Sequence, residues 1–428
     1  MSEQITLAKS NRVSSMASGL QGSEIIRLAG EINARIKAGK KIYNFTIGDY
    51  DPNLFPLSPS YKELIQTAYK NNETNYPAAN GIASLREAAA DLIKRKLKLA
   101  YSPDEFLIAS GARPLIYAAY LSIVNEGENV VFPVPSWNNN HYSFLSHANA
   151  VLVESKPENN FMPTASDLEP LLQNASLLAL CSPLNPTGTV FSKESLYEIG
   201  NLVLAENLRR GPNEKPLYIL YDQIYWMMTH GETKHVDPVS LIPELRPYTI
   251  YVDGVSKAFA ATGVRVGWAF GPDDIIEKMR SILGHVGAWA PKAEQVATAA
   301  YLNNIEQVDV DTDLLNKQIQ QRLVGLFNGI IGLKKEGLPI DAVAPQAAIY
   351  LTVKIDLKGK RSPSGELLST SSDITKYLLD DAGIAIVPFY AFGASKDSCW
   401  FRLSVGTLII EEIDQVIGKI KVSLEKLQ

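Results

Sequence analysis

The chain has 428 residues, 46% hydrophobic and 20% charged, with a formal net charge of −5 and a pI near 5.7. That length allows roughly two to three ordinary domains, and the balance is that of a globular protein with a large core. The charge gives no footprint for nucleic acid or an anionic membrane, no apolar run reaches the roughly 18 residues of a membrane span, and MSEQITLAKSNRV lacks the apolar core of a secretory signal.

In chain order, residues 1–20 read as a polar, serine-rich arm. Apolar positions at Ile25, Ile26, Ala29, Ile32 and Ile36 predict a helix ending near Gly39. A short strand in KIYNF then gives way to Gly48 and a proline-punctuated loop. Helices are expected near 60–70 and 84–97, the second opened by a capping box of Ser84 and Glu87. Strands follow at 106–109, 129–134, 150–154, 177–181, 217–221, 249–252 and 266–270, mostly separated by helical stretches. They are short and almost wholly apolar, as burial on both faces requires, so the α/β class with a mostly parallel, helix-flanked sheet is expected. Beyond about residue 309 the alternation weakens. A helix over 311–330 is followed by strands at 348–355, 384–387 and 400–405, an exposed loop at 358–372 and a last amphipathic helix. The expected division is a large domain over 59–309 and a smaller α+β domain built from 1–58 and 310–428.

The strand ends carry the chemistry. The stretch YVDGVSKAFAATGVRVGWAFG puts Ser256 and Lys257 in a turn after a strand, with Arg265 between Gly263 and Gly267. Ligands of open α/β sheets gather at the carboxyl ends of strands, and lysine forms Schiff bases when desolvated or set beside other cations. Ser110, Gly111 and Ala112 form a strand-to-helix turn able to hold a phosphate. In SPLNPTG two prolines hold the direction of Asn185, although such an asparagine can also bond its own backbone. Asp222 closes an apolar strand with Tyr225 three residues on. It needs a partner, either a cationic heterocyclic nitrogen or the next helix's N-terminus. Trp137 follows VVFPVP, where a flat ring could stack on another. Arg402, in WFRLSVG, calls for an anion: a bidentate carboxylate ligand or a structural ion pair. Together these describe a pyridoxal phosphate site. Two cysteines, Cys181 and Cys399, and five scattered histidines offer no metal-ligand spacing; no metal and a cytoplasmic home are expected.

Over nearly its whole length the chain resembles a class I/II aminotransferase, a fold-type I pyridoxal-phosphate enzyme of the aspartate aminotransferase superfamily. The resemblance rests on NYPAANGIASLREA, SPLNPTG, DQIY, SKAFAATGVRVGW and FRLS, and is greatest to the bacterial aspartate and aromatic aminotransferases. It implies that Lys257 holds the cofactor as a Schiff base and later shuttles a proton. Asp222 would pair with the ring nitrogen, while Tyr225 and Asn185 bond the ring's phenolic oxygen. Ser110, Gly111, Ala112, Ser256 and Arg265 would hold the phosphate, joined by Tyr76 from a neighbouring subunit. Trp137 would stack on the ring, and Arg402 with the Gly48 backbone would bind the substrate carboxylate. A homodimer acting on an amino acid and a 2-oxo acid is thereby implied.

The chain departs from the family pattern at Gln223, where glutamate is usual, and at Ala112, where some bacterial aspartate aminotransferases carry lysine. Arg113 beside it could contact phosphate or an acidic substrate, and His285 falls where some relatives supply a substrate-reading cation. The predicted reaction is transfer of an amino group from an L-amino acid, aspartate-like or aromatic, to a 2-oxo acid. The competing readings are β-elimination at the same site and a cofactor-binding module without turnover.

Overall fold

The computed structural model describes residues 12–20, 22 and 24–428, with no side chain described at Ile25 or Ile26. Residues 1–11 of the expected arm, and those two members of the first apolar stripe, therefore lie outside what is described. The rest of the arm contains a short helix, Ser15–Gly19, capped by the Ser14 side chain. The next helix runs Glu24–Lys37.

Seven strands form the main sheet: β1 (Phe106–Ala109), β2 (Asn129–Val134), β3 (Asn149–Glu154), β4 (Ala175–Cys181), β5 (Tyr218–Asp222), β6 (Thr249–Gly254) and β7 (Gly267–Phe270). Their order is β1-β7-β6-β5-β4-β2-β3, and only β7 runs antiparallel to its neighbours. The period of two sorts successive side chains into two cores. Val131, Leu178, Leu180, Ile219 and Tyr251 meet the helices Ala83–Leu97 and Lys193–Arg210 on one face. Val130, Leu177, Ala179, Leu220 and Ile250 meet Ala112–Ile123 and Asp273–Val286 on the other. Each fully buried leucine here contributes about 2 kcal/mol, which is why these strands carry almost no polar residues.

A second, antiparallel sheet has the order β10-β11-β9-β8, made of β8 (Ile340–Ala342), β9 (Tyr350–Ile355), β10 (Val387–Pro388) and β11 (Trp400–Ser404). Its core takes in Tyr43, Phe45, Tyr50 and Phe55 from far up the chain. A two-residue parallel pairing of Tyr43–Asn44 with Ile384–Ala385 fixes that early segment in place. The helix Ile305–Lys335 bridges both cores, burying Val308 in one and Ile319, Leu323, Leu326 and Ile330 in the other.

Four local expectations change. Ser84 lies inside its helix, which begins at Ala83 with no side-chain cap. The orphan Ile82 amide instead donates to Gln295 at 2.9 Å, so a tertiary partner replaces the capping box. The expected strand at 384–387 is two pieces serving different sheets, and the expected helix at 311–330 starts earlier, where Asn304 caps it. The loop at 358–372 ends at Thr370, which forms a capping box with Asp373 and opens the helix Ser371–Tyr377.

Candidate active site

A cavity of about 660 Å³ opens at the carboxyl ends of β4, β5 and β6. Gly48, Ala112, Trp137, Asn185, Asp222, Tyr225, Ser256, Lys257, Arg265 and Arg402 all line it. Ten positions predicted from separate motifs therefore share one space. The sheet explains the convergence: Cys181 and Asp222 are register partners that end β4 and β5, and β6 delivers the lysine turn beside them.

Lys257 Nζ donates to the Gly48 carbonyl at 2.7 Å. Burial lowers its pKa to about 8; Asp49 opposes that shift, while Arg402, Arg113 and Arg265 add to it. Among the described residues, Asp222 Oδ1 accepts only the Ile224 amide, at 3.1 Å. Burial pushes its carboxyl up to about 6, against the pull of the Ile224 amide and Lys257. The alternative of a helix N-terminus as partner is thus met by a single turn amide, which leaves acceptor capacity facing the cavity. Tyr225 and Tyr350 share a hydroxyl–hydroxyl bond of 2.6 Å, and burial raises the pKa of both.

Arg402 is 1% exposed, and among the described residues no carboxylate pairs with it. Its Nη1 donates to Asn185 Oδ1 at 3.0 Å and its Nη2 to the Thr46 carbonyl at 2.7 Å, while Nε has no partner. Asn185 thus points its oxygen at the arginine rather than at its own backbone. The loop around it holds cis bonds at Ser182–Pro183 and Asn185–Pro186.

The turn over residues 110–112 is built by backbone crowding. Gly111 has φ +86°, and a Cβ there would sit 2.2 Å from Arg265 Nη2. A Cβ on Gly267 would sit 2.6 Å from the Gly111 carbonyl carbon. Only glycines let β7, the turn and the guanidinium meet. Arg265 donates to the carbonyls of Thr262 and Ser110 at 2.8 and 2.9 Å, and no side chain caps the first turn of Ala112–Ile123.

Residues 40–420 match the family described as aminotransferase class I and II. The chain belongs to that family. Its aminotransferase relatives include the aspartate aminotransferase of Rhizobium meliloti strain 1021, 29% identical over 418 residues and covering 96% of each chain. A probable aspartate/prephenate aminotransferase of Rickettsia prowazekii is 29% identical, covering 90% of this chain and 92% of its own. Among solved structures, the Rhizobium meliloti aspartate aminotransferase superposes with a TM-score of 0.88 at 27% identity, covering 97% of this chain and 100% of that one. An aromatic aminotransferase from Pyrococcus horikoshii gives 0.80 at 25%, covering 92% and 98%.

This aminotransferase is a fold-type I pyridoxal-phosphate enzyme that moves an amino group from an amino acid to a 2-oxo acid. The residues present fit that cofactor. The cavity holds an under-bonded buried carboxylate, an uncapped helix start with an arginine behind it, a buried arginine with an unpartnered Nε, and a lysine of lowered pKa.

Two predicted positions sit apart. Tyr76 is 82% exposed and packs edge-on to Trp289 beside a separate surface cleft of about 610 Å³. His285 is exposed near the end of Asp273–Val286 and does not line the cavity. Arg113 does line it, with its guanidinium 5.1 Å from the Trp137 ring. Sequence reading missed Asp49, Thr262 and Tyr350, which also line the space. Asp49 follows Gly48 and could have been found by that adjacency. Nothing in the local sequence marks Tyr350, because its role depends on β9 lying beside β11.

Proposed function

We propose that this aminotransferase takes its amino group from an aspartate-like or aromatic L-amino acid, with Lys257, Asp222 and Tyr225 at the reaction centre. The observation that carries the reading is the enclosure of one lysine, with lowered pKa, among Arg113, Arg265 and Arg402 in a single cavity. Pyridoxal phosphate bound there supplies the carbonyl that receives the amino group and a ring that withdraws electrons.

Each side chain then has its own task. Lys257 anchors the cofactor, and its free amine takes the proton at the substrate α-carbon and delivers it to the acceptor carbon. A pKa near 8 suits that work, because the neutral and charged forms are both populated close to physiological pH. The Asp222 carboxylate would pair with the ring nitrogen, a cation that would offset its buried charge. Tyr225 and Asn185 would bond the phenolic oxygen, and Trp137 would cover the ring. Ser110, Gly111, Ala112, Ser256 and Arg265 hold the phosphate. Arg402 grips the α-carboxylate beside the Gly48 backbone, its fork already aimed by Asn185 and Thr46. Arg113, over the Trp137 ring, faces the substrate side chain.

The reading includes a large cofactor-binding domain over 59–309 and a small one from 1–58 and 310–428. It also includes a homodimer in which Tyr76 reaches the other site; the exposure of Tyr76 and the unpartnered Nε1 of neighbouring Trp289 support this. A cytoplasmic home belongs to the same reading and is supported by the two unpaired cysteines.

The test is a visible spectrum of the loaded enzyme as L-amino acids are added singly without a 2-oxo acid. Bleaching of the yellow band with a rise of the pyridoxamine phosphate band and release of the matching 2-oxo acid is expected, strongest for acidic and aromatic donors. Pyruvate and ammonia without conversion of the cofactor would instead establish elimination.

A further inference from the structure

We propose that Asp49 is a positioning residue for Lys257: its carboxylate seats the lysine turn on the Gly48 segment and supplies negative charge to the cavity around the amine. The proposal rests on the reading of Lys257 given above and extends it to a residue with no role there.

Three consecutive residues grip the lysine turn. The Gly48 carbonyl accepts Lys257 Nζ at 2.7 Å. Asp49 Oδ1 accepts the Thr262 hydroxyl at 2.7 Å and the Tyr50 amide at 2.8 Å. The Tyr50 hydroxyl donates to the Lys257 carbonyl at 2.8 Å. Thr262 passes the connection on, since its carbonyl accepts Arg265 Nη1 at 2.8 Å. One carboxylate therefore braces both the lysine and the arginine of the turn.

Asp49 cannot drift. Its carbonyl lies where a Cβ on Gly406 would be, only 2.0 Å away, and the Asp51 amide donates to the Gly406 carbonyl at 2.9 Å. Gly406 follows β11, the strand of Arg402, so the substrate-binding strand and the lysine turn are registered through this one segment.

Charge supports the same role. Arg113 from the helix Ala112–Ile123, Arg265 from the turn and Arg402 from β11 each favour the neutral amine, and Asp49 is the group that opposes them most. From β5 and the turn after it come Asp222, which feels the lysine's charge, and Tyr225, whose ring lies 5.9 Å from Nζ. Tyr50 and Tyr350, both raised in pKa, stay neutral at working pH. With Asp222 turned to the cofactor ring, Asp49 is the anion left to the lysine. Removing its charge favours the neutral amine, so the lysine becomes nucleophilic at lower pH.

The experiment follows the rate at which the cofactor-stripped full chain captures added pyridoxal phosphate, read by visible absorbance from about pH 6 to about pH 9. Asp49→Asn is expected to move the midpoint of the rate profile down by about half a unit or more. Asp49→Glu should restore the midpoint toward wild type. Thr262→Val keeps the volume and the Asp49 charge but loses the donor that seats the turn, so it should slow capture and leave the midpoint near that of wild type. An unchanged midpoint in Asp49→Asn overturns the proposal, as does wild-type capture speed in Thr262→Val if the asparagine chain does not fold. A Lys257→Ala chain that captures cofactor as wild type does would sink the lysine reading itself, a result distinct from every Asp49 outcome.

Discussion

At the scale of single residues, the site is a set of charges held in unfavourable places until a ligand arrives. Asp222 shows this most clearly. Its folded pKa, about 6, lies above the ordinary carboxylate range because of burial. The folded chain thus binds more protons than the unfolded chain between those values, and its stability falls as pH rises through that window. The penalty is absent in acid and complete above about pH 6. Asp222→Asn should therefore raise the melting temperature of the cofactor-free chain at pH near 8 and leave it unchanged at pH near 4, read by calorimetry. The same substitution should lower turnover about a hundredfold or more, because the cationic ring loses its fixed counter-charge. Arg402→Lys tests the fork. Charge is kept but bidentate geometry is lost, and KM for the amino donor should rise about tenfold to a hundredfold in steady-state assays.

At the scale of elements, most of the architecture was legible in the sequence, and the reason is burial. Strands such as LLALC and the YIL run of β5 are apolar at every position because both faces are covered, so their apolar runs lie close to their true bounds. What could not be read locally was decided by tertiary partners. Ile82 is capped by Gln295 from a distant helix, and the run at 384–387 divides because two sheets claim its halves. The glycines that let β7 meet the 110–112 turn belong to this scale too. Gly267→Ala would press a methyl into the Gly111 backbone, which cannot move without shifting Arg265. A loss of about 1–3 kcal/mol in denaturant unfolding is expected, with cofactor affinity weakened as well. Thr370→Ala is the control: it removes a cap far from the cavity and should cost about 1 kcal/mol with activity intact.

At the scale of the whole molecule, residues scattered from Gly48 to Arg402 meet because two sheets with different cores face one cavity. Motif reading found the residues at strand ends and missed Asp49, Thr262 and Tyr350, whose importance comes from the second sheet packing against the first. Tyr76 remains outside this geometry, exposed beside Trp289. If it completes the site of a second copy, mixing Tyr76→Ala with Lys257→Ala chains should create tight cofactor sites that neither parent has, detectable by equilibrium binding. Mixtures that bind no better than the parents would leave Tyr76 as surface.

Every role proposed for the cavity depends on Lys257, and the most direct measurement is borohydride reduction of the yellow protein followed by peptide mass mapping. The predicted result is a reduced phosphopyridoxyl group on the peptide bearing Lys257 and on no other lysine. A label on a different lysine, or none on a protein that is visibly yellow, would contradict the assignment of the cavity and the roles drawn from it.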